Sequence, residues 1–243
     1  MYTQVDANAL EWRTIVLLSN DPVGIEELNT PGLDVHTNNQ NDLLLPSRLI
    51  AKIFLFRTIY RGSGWAFAKD AAFRHVSDDP DFWEQKNAAF YKKYLGIDKI
   101  HKLWFNTVAE RKEIVSPFGR RWKIDLVEKA DRFGNKSTVV PVTVAANYPV
   151  QGTGNDLMCL ARISAKRRFA PYPDIKLVST VHDSIVADHP DEHAKLVSNT
   201  FFEVFRDLPK NMLNIFGVKS PIPFTCEVKQ GHNLLEMTKV EYN

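Results

Sequence analysis

Apolar residues along this chain alternate between a spacing of two, typical of strands, and a spacing near 3.6, typical of helices. The spacing of two is clearest in five places. These are residues 2 to 5 leading into Asp6, a hairpin at 117 to 125, a stretch at 131 to 142 that turns at Gly134-Asn135, two runs within 175 to 187 joined at His182-Asp183, and a short strand at 224 to 228.

Helical spacing occupies most of the remaining chain, and turn signals mark the ends of the predicted helices. Because consecutive helices lie between the first strand and the first hairpin, the pattern predicts an α+β fold with a helical insertion. The predicted helices run from Leu10 to the turn at Asn20-Asp21-Pro22, from Pro46 to Tyr60 before Gly62-Ser63-Gly64, from about 81 to 94, from about 99 to 114, from 151 to 168, and from 190 to 206.

The composition is that of a globular protein with a sizeable core: 243 residues, 44% hydrophobic and 25% charged. This excludes the disordered and collagen-like classes. No apolar run approaches the roughly 18 residues of a bilayer-spanning helix, and the N-terminus lacks a signal-peptide pattern. Cys159 and Cys226 belong to no ligand cluster, so neither a disulfide framework nor a zinc site is expected. We therefore expect a soluble, intracellular protein.

Positive charges are clustered, although the formal net charge of +2 is too small to indicate a nucleic-acid binder by itself. Two basic clusters could bind a polyanion. They could also be solvated helix faces, which is the commoner origin of charge runs. The first cluster contains Arg111, Lys112, Arg120, Arg121 and Lys123, and the second contains Arg162, Lys166, Arg167 and Arg168.

The most specific signal is a stripe of four residues spaced four apart in the helix predicted after Pro46. At 3.6 residues per turn, they would line one helix face over about 18 Å. Cations can neutralise a triphosphate, and aromatic rings can stack on a base or close over a sugar. On spacing alone, the stripe could equally be basic surface residues followed by an aromatic core contact. The four residues are Arg48, Lys52, Phe56 and Tyr60.

The stripe resembles the fingers helix of family A DNA polymerases, whose pattern is R-x-x-x-K-x-x-x-F/Y-x-x-x-Y-G. It stands here as RLIAKIFLFRTIY, followed by Arg61. Other segments resemble family landmarks in the expected order, and together they cover residues 4 to 231. They are the first palm motif DANALEWR from Asp6, the segment DVHT from Asp34 with Asn39-Gln40, the hairpin FGRR from Phe118, the helix start NYPVQGT from Asn147, and the catalytic hairpin VHD from Val181.

The resemblance implies an α+β polymerase palm, an antiparallel sheet with helices, into which a helical fingers subdomain is inserted. The palm would comprise residues 1–28, with Asp6, and residues 116–243, with the hairpin of Asp183. Residues 29–115 would form the fingers. The implied activity is template-directed DNA synthesis, which adds deoxynucleotides from their triphosphates to a primer 3′-OH.

This reaction uses two divalent cations, normally Mg²⁺, for which Mn²⁺ can substitute. By the resemblance, Asp6 and Asp183 would be the bridging carboxylates, and the backbone carbonyl of Ala7 would be a further ligand. An isolated aspartate would be better explained as a cap or turn residue. The accompanying motifs favour the metal-binding role instead.

The resemblance also implies roles in nucleotide binding. His36, Arg48 and Lys52 would contact the triphosphate, and Lys52 would donate a proton to the leaving pyrophosphate. Glu11 would exclude a ribose 2′-hydroxyl. Phe56 would pack beneath the sugar, and its missing hydroxyl predicts discrimination against dideoxynucleotides.

A second group of residues would contact the DNA primer-template. Tyr60, which belongs with the nucleotide-binding residues, would lie near the templating base and Glu11, whereas His182 would meet the primer-terminal phosphate. Asn147 and Gln151 would reach the minor groove, where acceptors shared by all base pairs report on pairing geometry. The remaining residues expected to bind DNA are Arg120 and Arg121.

Three positions depart from the family pattern. Ser184 stands where a glutamate usually follows the catalytic aspartate, which leaves one carboxylate fewer near the metals. Thr143 replaces an arginine that contacts the primer. Arg61 replaces a glycine, so the bend after the fingers helix is expected at Gly62 or Gly64.

These departures leave two alternatives to a DNA polymerase subunit. Ser184 and Thr143 would also suit a catalytically degenerate palm and fingers module that binds DNA or a partner without synthesis. The triplet His182-Asp183-Ser184 is similar to single-subunit RNA polymerases, but Glu11 argues against an RNA-synthesising relative.

In the family, the thumb and any exonuclease precede the first palm motif, which begins here at Asp6. We therefore expect an N-terminal partner chain that carries the thumb and, in some cases, an exonuclease, as in a split phage polymerase. The first strand, without its flanking palm strands, is expected to have an unpaired side. The implied location is the cytoplasm of a bacterium or of a phage-infected host.

Overall fold

The computed structural model describes residues 1–130 and 133–242. Within these residues there are ten α-helices, nine strands and a short 3-10 helix at Asp191–His193. The strands are β1 (Tyr2–Ala7), β2 (Glu113–Val115), β3 (Arg121–Lys123), β4 (Val127–Ala130), β5 (Lys136–Val139), β6 (Lys176–Val181), β7 (Ser184–Asp188), β8 (Cys226–Gly231) and β9 (Thr238–Val240). The helices are α1 (Leu10–Ser19), α2 (Pro22–Asn29), α3 (Val35–Asp42), α4 (Arg48–Thr58), α5 (Gly64–Lys69), α6 (Pro80–Lys93), α7 (Leu95–Arg111), α8 (Val142–Arg168), α9 (Ala194–Arg206) and α10 (Leu208–Phe216).

The chain forms two compact units. The sheet unit contains Met1–Arg13 and Gly152–Asn243, and the helical unit contains Thr14–Gln151. Their boundaries fall inside α1 and α8, whereas the predicted regions change at residues 28 and 115. The assignment of residues 1–28, 29–115 and 116–243 to palm and fingers therefore stays a prediction.

The sheet unit is built on a five-stranded antiparallel sheet with strand order β6-β7-β1-β8-β9. Both neighbours of β1 come from the second half of the chain: β7 pairs with residues 2–6 and β8 with residues 2–7. The expectation that the first strand has an unpaired side is therefore wrong. The α+β fold class is confirmed.

The two faces of β1 differ in burial, because successive strand residues point to opposite faces. Val5 is fully buried and lies opposite Ile185 on β7 and Val228 on β8, which are also fully buried. Helix α9 contacts β1 and β8 with buried residues that include Phe201. The other face of β1 is half-buried, and Asp6 lies on it.

The helical unit has an aromatic core between α4, α5 and α6. The rings of Phe54, Phe67, Phe73 and Trp83 are almost completely buried, with centroids 5.0 to 6.0 Å apart. Burial of this much aromatic surface fixes the buried side of α4. Residues 48, 52 and 56 of α4 thereby stay on its accessible side.

A buried polar network fixes α3 in the same unit. The hydroxyl of Tyr94 donates to the carboxylate of Glu27 at 2.9 Å and accepts from the amide of Asn39 at 2.7 Å. Lys93 forms an ion pair with Glu27 at 2.7 Å, so the buried carboxylate is charge-compensated. Burial, foremost, raises the pKa of Tyr94 well above its usual range.

Helix α8 differs most from the prediction. It begins at Val142, nine residues before the predicted start, and contains Pro149. A proline inside a helix removes one backbone hydrogen bond and normally marks a helix start. Here the first turns bury Ala145, Ala146 and Val150, and this packing offsets the cost. The motif NYPVQGT is therefore an internal segment of α8.

The other differences are smaller. Helix α7 ends at Arg111 because Lys112 adopts φ 54°, and the following hairpin begins at Glu113 rather than 117. β4 and β5 form a hairpin, and residues 131 and 132 of the predicted extended stretch lie outside the described residues. Helices α2, α3, α5 and α10 were not predicted. No helix within the described residues is long and apolar enough to span a membrane.

Candidate active site

The sheet brings Asp6, on β1, close to Asp183, in the turn that precedes β7. Asp6 is paired with Ser184 on β7, and the backbone amide of Ala7 donates to the carbonyl of Asp183 at 2.9 Å. Both aspartates are half-buried. Two aspartates separated by 177 positions in sequence therefore lie close together along the backbone at one end of the β1-β7 pair.

His182 and Asp183 form the two-residue connection of the β6-β7 hairpin, in which Val181 pairs with Ser184. His182 has φ 52°, in the left-handed region that favours glycine. A side chain kept in such a conformation is often functional. The turn exposes the His182 imidazole next to Asp183.

The two aspartates are suited to a hard divalent cation, which prefers carboxylate oxygens. Within the described residues neither carboxylate forms an ion pair with a lysine or arginine. The Asp6 oxygens accept only a side-chain amide, from Gln4 at 3.0 and 3.1 Å. Lys229 interacts with Asp6 electrostatically but forms its ion pair with Glu227. The donor set of the two aspartates fits magnesium.

Two residues near Asp6 were not predicted from the sequence. Gln4 lies two residues before Asp6 on β1. Because side chains two residues apart lie on the same face of a strand, the sequence could have shown that Gln4 and Asp6 share a face. Glu227 on β8 is paired with Asp6 across the strands, but Lys229 binds its carboxylate at 2.8 Å and Lys239 at 3.5 Å. These two lysines, led by the bond from Lys229, lower the pKa of Glu227.

A second group of potential metal ligands lies in the sheet unit, near the opposite end of β7. The ligand atoms of Asp174, Glu192 and His193 lie within 4.8 Å of one another, and His193 approaches Asp174 at 3.3 Å. The two carboxylates are exposed. Exposed groups of this kind are common without a metal, so no function is assigned to them.

Arg13 fixes the turn between β1 and α1. Its guanidinium donates to the carbonyls of Asn8 and Pro223 and to the hydroxyl of Thr225. Burial lowers the pKa of Arg13 to about 10. This arginine of the DANALEWR motif therefore orients the segment between Asp6 and Glu11, and Glu11 itself is half-buried in the first turn of α1.

The predicted stripe lies on the accessible side of α4. Arg48 and Lys52 are exposed, and Phe56 and Tyr60 are half-buried. Ser47 caps the helix by accepting from the Ile50 amide, so the helix begins at Arg48 itself. Tyr60 follows the helix end in the next turn.

His36 joins the stripe from α3. Its ring centroid lies 6.1 Å from that of Phe56, and the side chain is 7% exposed. The Nδ1 atom is buried without a hydrogen-bond partner in the described part of the chain. The pKa of His36 is lowered mainly by burial, and the nearby positive charges of Arg48 and Lys52 lower it further. The structure thus brings four predicted nucleotide-binding residues together.

Tyr60 and Gln151 also meet within the helical unit. The Gln151 amide donates to the Tyr60 hydroxyl at 2.6 Å. Asn147 lies four residues before Gln151 on α8, so both face the same side of that helix. This bond links Tyr60, which is expected near the templating base, to Gln151, which is expected to reach the minor groove.

The predicted arginines of the hairpin lie on its surface. Gly119 has φ 86° in the turn between β2 and β3, where Arg120 follows. Arg121 is exposed and forms an ion pair with Glu113 at 2.7 Å. In the second basic cluster, Arg168 is bound by Glu203 and Asp207, so it stabilises the packing of α8 against α9.

Comparison with known proteins decides the family. The model of DNA polymerase family A matches residues 1–236. The chain belongs to this family. It is 23% identical to DNA polymerase I of Chloroflexus aurantiacus over 98% of the chain, and 24% identical to the DNA polymerase of Bacillus phage SP01 over 95%.

The fold of this family A chain is also found in a solved structure. The POL domain of Pol1 from M. smegmatis, in complex with DNA primer-template and dNTP, covers 96% of the chain with a TM-score of 0.78 at 16% identity. The chain spans about a quarter of the length of its curated relatives, 24% and 25% for the two named above, and 39% of that solved chain.

Two of the three departures from the family pattern, Ser184 and Thr143, place a small polar residue where a longer charged one was expected. Ser184 is buried, and its hydroxyl donates to the Val181 carbonyl at 2.9 Å, which closes the hairpin turn. Thr143 is an exposed residue in the first turn of α8. A glutamate or an arginine at these positions is therefore replaced by a small polar group.

The third departure, Arg61, makes the bend after α4 itself. Its φ is 63°, whereas Gly62 and Gly64 have no positive φ, so the expectation that a glycine makes the bend is wrong. The guanidinium lies 4.7 Å from the ring centroid of Tyr91 and 5.7 Å from that of Phe105. These cation-π contacts offset the backbone cost of an arginine in the left-handed region.

We expect Arg61→Ala to lower the free energy of unfolding by about 1 to 2 kcal/mol, because it removes both ring contacts and keeps the backbone cost. Arg61→Gly should be less harmful by about 1 kcal/mol, since glycine adopts this φ freely. Urea unfolding measures both. At the exposed helical residue Gln85 the order should reverse, with Gln85→Gly less stable than Gln85→Ala.

Proposed function

We propose that this chain is the catalytic part of a template-directed DNA polymerase that adds deoxynucleotides to a primer 3′-OH. The observation that carries the proposal is the adjacency of Asp6 and Asp183 on β1 and the β6-β7 hairpin. These two residues stand in the motifs that resemble the family's catalytic segments, and the family match spans both.

Asp6, Asp183 and the Ala7 carbonyl would hold two magnesium ions. When bound, the ions supply Lewis-acid chemistry that activates the primer hydroxyl and stabilises the leaving pyrophosphate. Gln4 would keep the Asp6 carboxylate oriented toward the open face of the sheet. His182 would hold the primer-terminal phosphate beside Asp183.

The residues of the helical unit would bind the incoming nucleotide. Arg48 and Lys52 provide exposed positive charge for the triphosphate, and Lys52 would protonate the pyrophosphate. His36, which lies close enough to Arg48 and Lys52 to feel both of their charges, would contact the triphosphate with them. Phe56, in contact with His36, would pack beneath the sugar, and Glu11 would exclude ribonucleotides.

The remaining residues would contact the primer-template. Asn147 and Gln151 would read minor-groove acceptors, and Tyr60 would lie next to the templating base. DNA in this position would compete for the bond that Gln151 now makes to Tyr60. Arg120 and Arg121 offer positive charge for DNA phosphates on the hairpin surface.

We also propose that synthesis requires further polymerase elements, supplied by an N-terminal partner chain with the thumb. The support is that the chain matches only about a quarter of its curated relatives. The unpaired strand expected from the sequence no longer supports a partner, because β1 is paired on both sides. A chain that acts on DNA would work in the cytoplasm of a bacterium or infected host.

Primer extension tests this function. A labelled primer on a template with a defined next base is incubated with Mg²⁺ and each dNTP separately, using the chain alone and with any chain that co-purifies with it. We expect extension only with the complementary dNTP. Omission of Mg²⁺ should stop it, and Mn²⁺ should restore it.

The same assay separates synthesis from binding. If the primer-template is bound but never extended, with the co-purified chain present, the protein is a degenerate module and the polymerase proposal is wrong. If ribonucleotides are used as well as deoxynucleotides, the proposed role of Glu11 is wrong, although the reaction class would stand.

A further inference from the structure

The Asp34 carboxylate joins the start of α3 to the start of α4. As the N-cap of α3 it accepts from the Thr37 amide at 3.1 Å and from the Thr37 hydroxyl at 2.6 Å. Its two oxygens also accept from Arg48, from Nε at 2.6 Å and from a terminal nitrogen at 3.0 Å. One side chain thus makes four hydrogen bonds, two to each helix start.

The bond between Asp34 and Arg48 is bidentate, which fixes direction as well as distance. The pKa of Asp34 lies well below its usual range, mainly because of the hydrogen bond from the Arg48 guanidinium. The carboxylate is therefore charged at neutral pH. Arg48 is 57% exposed, and a free arginine side chain at such a site would sample many rotamers. Asp34 therefore restricts a side chain that nothing else encloses.

Asp34 leaves one edge of the half-exposed guanidinium without a bond in the described part of the chain. Asp34 uses Nε and one terminal nitrogen, and a guanidinium has five N–H donors in a fixed fork. The second terminal nitrogen and the remaining proton of the first form an edge that matches a phosphate bidentately. His36 lies two residues after Asp34, in the first turn of α3 that Asp34 caps.

We propose that Asp34 is a positioning residue for nucleotide binding, holding Arg48 so that its outer edge meets the triphosphate. This rests on the proposed function, in which Arg48 contacts that group. The negative charge of Asp34 weakens the attraction between Arg48 and a triphosphate, but Asp34 also holds the Arg48 side chain in one conformation before the ligand binds. Pre-ordering removes the entropy cost of fixing a long side chain when the ligand binds.

Asp34→Asn distinguishes the bidentate bond to Arg48, which we call the clamp, from the N-cap of α3. An asparagine oxygen still caps α3 through the Thr37 amide, whereas its amide group offers no second acceptor for Arg48. We expect KM for dNTP to rise about fivefold with kcat changed less than about twofold, from the lost pre-ordering. Thr37→Val removes a cap-side bond and keeps the clamp, so it should leave KM unchanged.

A binding measurement provides a readout that does not depend on synthesis. Inorganic tripolyphosphate is titrated calorimetrically into the whole chain, the Asp34→Asn, Arg48→Ala and Thr37→Val variants, and the double variant of Asp34 and Arg48. Asp34→Asn should weaken binding about fivefold in the parent. It should have no further effect once Arg48 is alanine, because the two residues act as one unit.

The outcomes are distinguishable. If Arg48→Ala leaves dNTP KM and tripolyphosphate binding unchanged, the proposed role of Arg48 fails and the inference fails with it. If Arg48→Ala weakens binding but Asp34→Asn does not, or tightens it, Asp34 does not position Arg48 and only the inference is overturned. An equal loss in Thr37→Val would assign the effect to the α3 cap and would also overturn it.

Discussion

Asp6→Asn and Asp183→Asn should each reduce primer extension by about a thousandfold or more, while primer-template binding changes little. Each substitution keeps the side-chain size and removes one of two charges that would hold the metal ions. The loss corresponds to about 4 kcal/mol of transition-state stabilisation, a usual magnitude for metal-ion catalysis. Single-turnover extension measures the rate, and an electrophoretic shift measures DNA binding.

Asp188→Asn is the matched control, because Asp188 is an aspartate at the far end of β7, the strand that follows Asp183, and pairs there with Tyr2. It should extend primers like the parent. Mn²⁺ binding, followed by electron paramagnetic resonance, should weaken in the Asp6 and Asp183 variants and not in the control. Full-rate synthesis by either variant would remove the two-metal assignment.

Lys52→Ala should lower kcat by about a hundredfold to ten thousandfold, the range expected for loss of a general acid. Lys52 lies on the exposed side of α4, one turn from Arg48 and close enough to His36 to affect the pKa of that imidazole. The ammonium group would both bind the triphosphate and protonate the pyrophosphate. Pre-steady-state kinetics, with dNTP varied, separates the rate of the chemical step from nucleotide affinity.

Lys52→Arg distinguishes charge from proton transfer. An arginine keeps the positive charge but does not give up a proton in proteins. We therefore expect near-parental nucleotide affinity with a rate of the chemical step close to that of Lys52→Ala. Lys92→Ala, an exposed lysine of α6, should behave like the parent. A fast Lys52→Arg variant would show that Lys52 acts through its charge alone.

Local sequence patterns predicted those elements whose signals lie within a few residues. The strand before Asp6, the β6-β7 hairpin and helix α4 were predicted with nearly correct bounds, because alternation, turn residues and the apolar face of α4 are local signals. The start of α8 was missed, since Pro149 is a local break that burial of Val150 and its neighbours overrides. Helix α3 was missed because its sequence VHTNNQND has almost no apolar periodicity.

In the candidate site, too, the motifs identified some residues from the sequence, whereas others became evident only in the structure. The motifs named Asp6, Asp183, Arg48 and Lys52. The backbone positions of the first two, on β1 and in the turn before β7, agree with a shared site. The partners of these residues could not be read from the motifs. The bond from Gln4 to Asp6 depends on both side chains lying on one face of β1. The bond from Arg48 to Asp34 depends on how α3 packs against α4.

The sequence by itself determined the family and the order of its motifs, and it named the residues that we propose to carry the chemistry, because motif spacing is independent of packing. Tertiary structure decided which residues surround them. β1 became a central strand because β7 and β8 return to both its sides from the distant second half of the chain. Arg61 adopts the left-handed conformation at the bend after α4, where the family pattern has a glycine. The rings of Tyr91 and Phe105, which lie 30 and 44 positions later in the sequence, stabilise its guanidinium there. Such long-range contacts leave no local pattern in the sequence, since they depend on where distant elements pack.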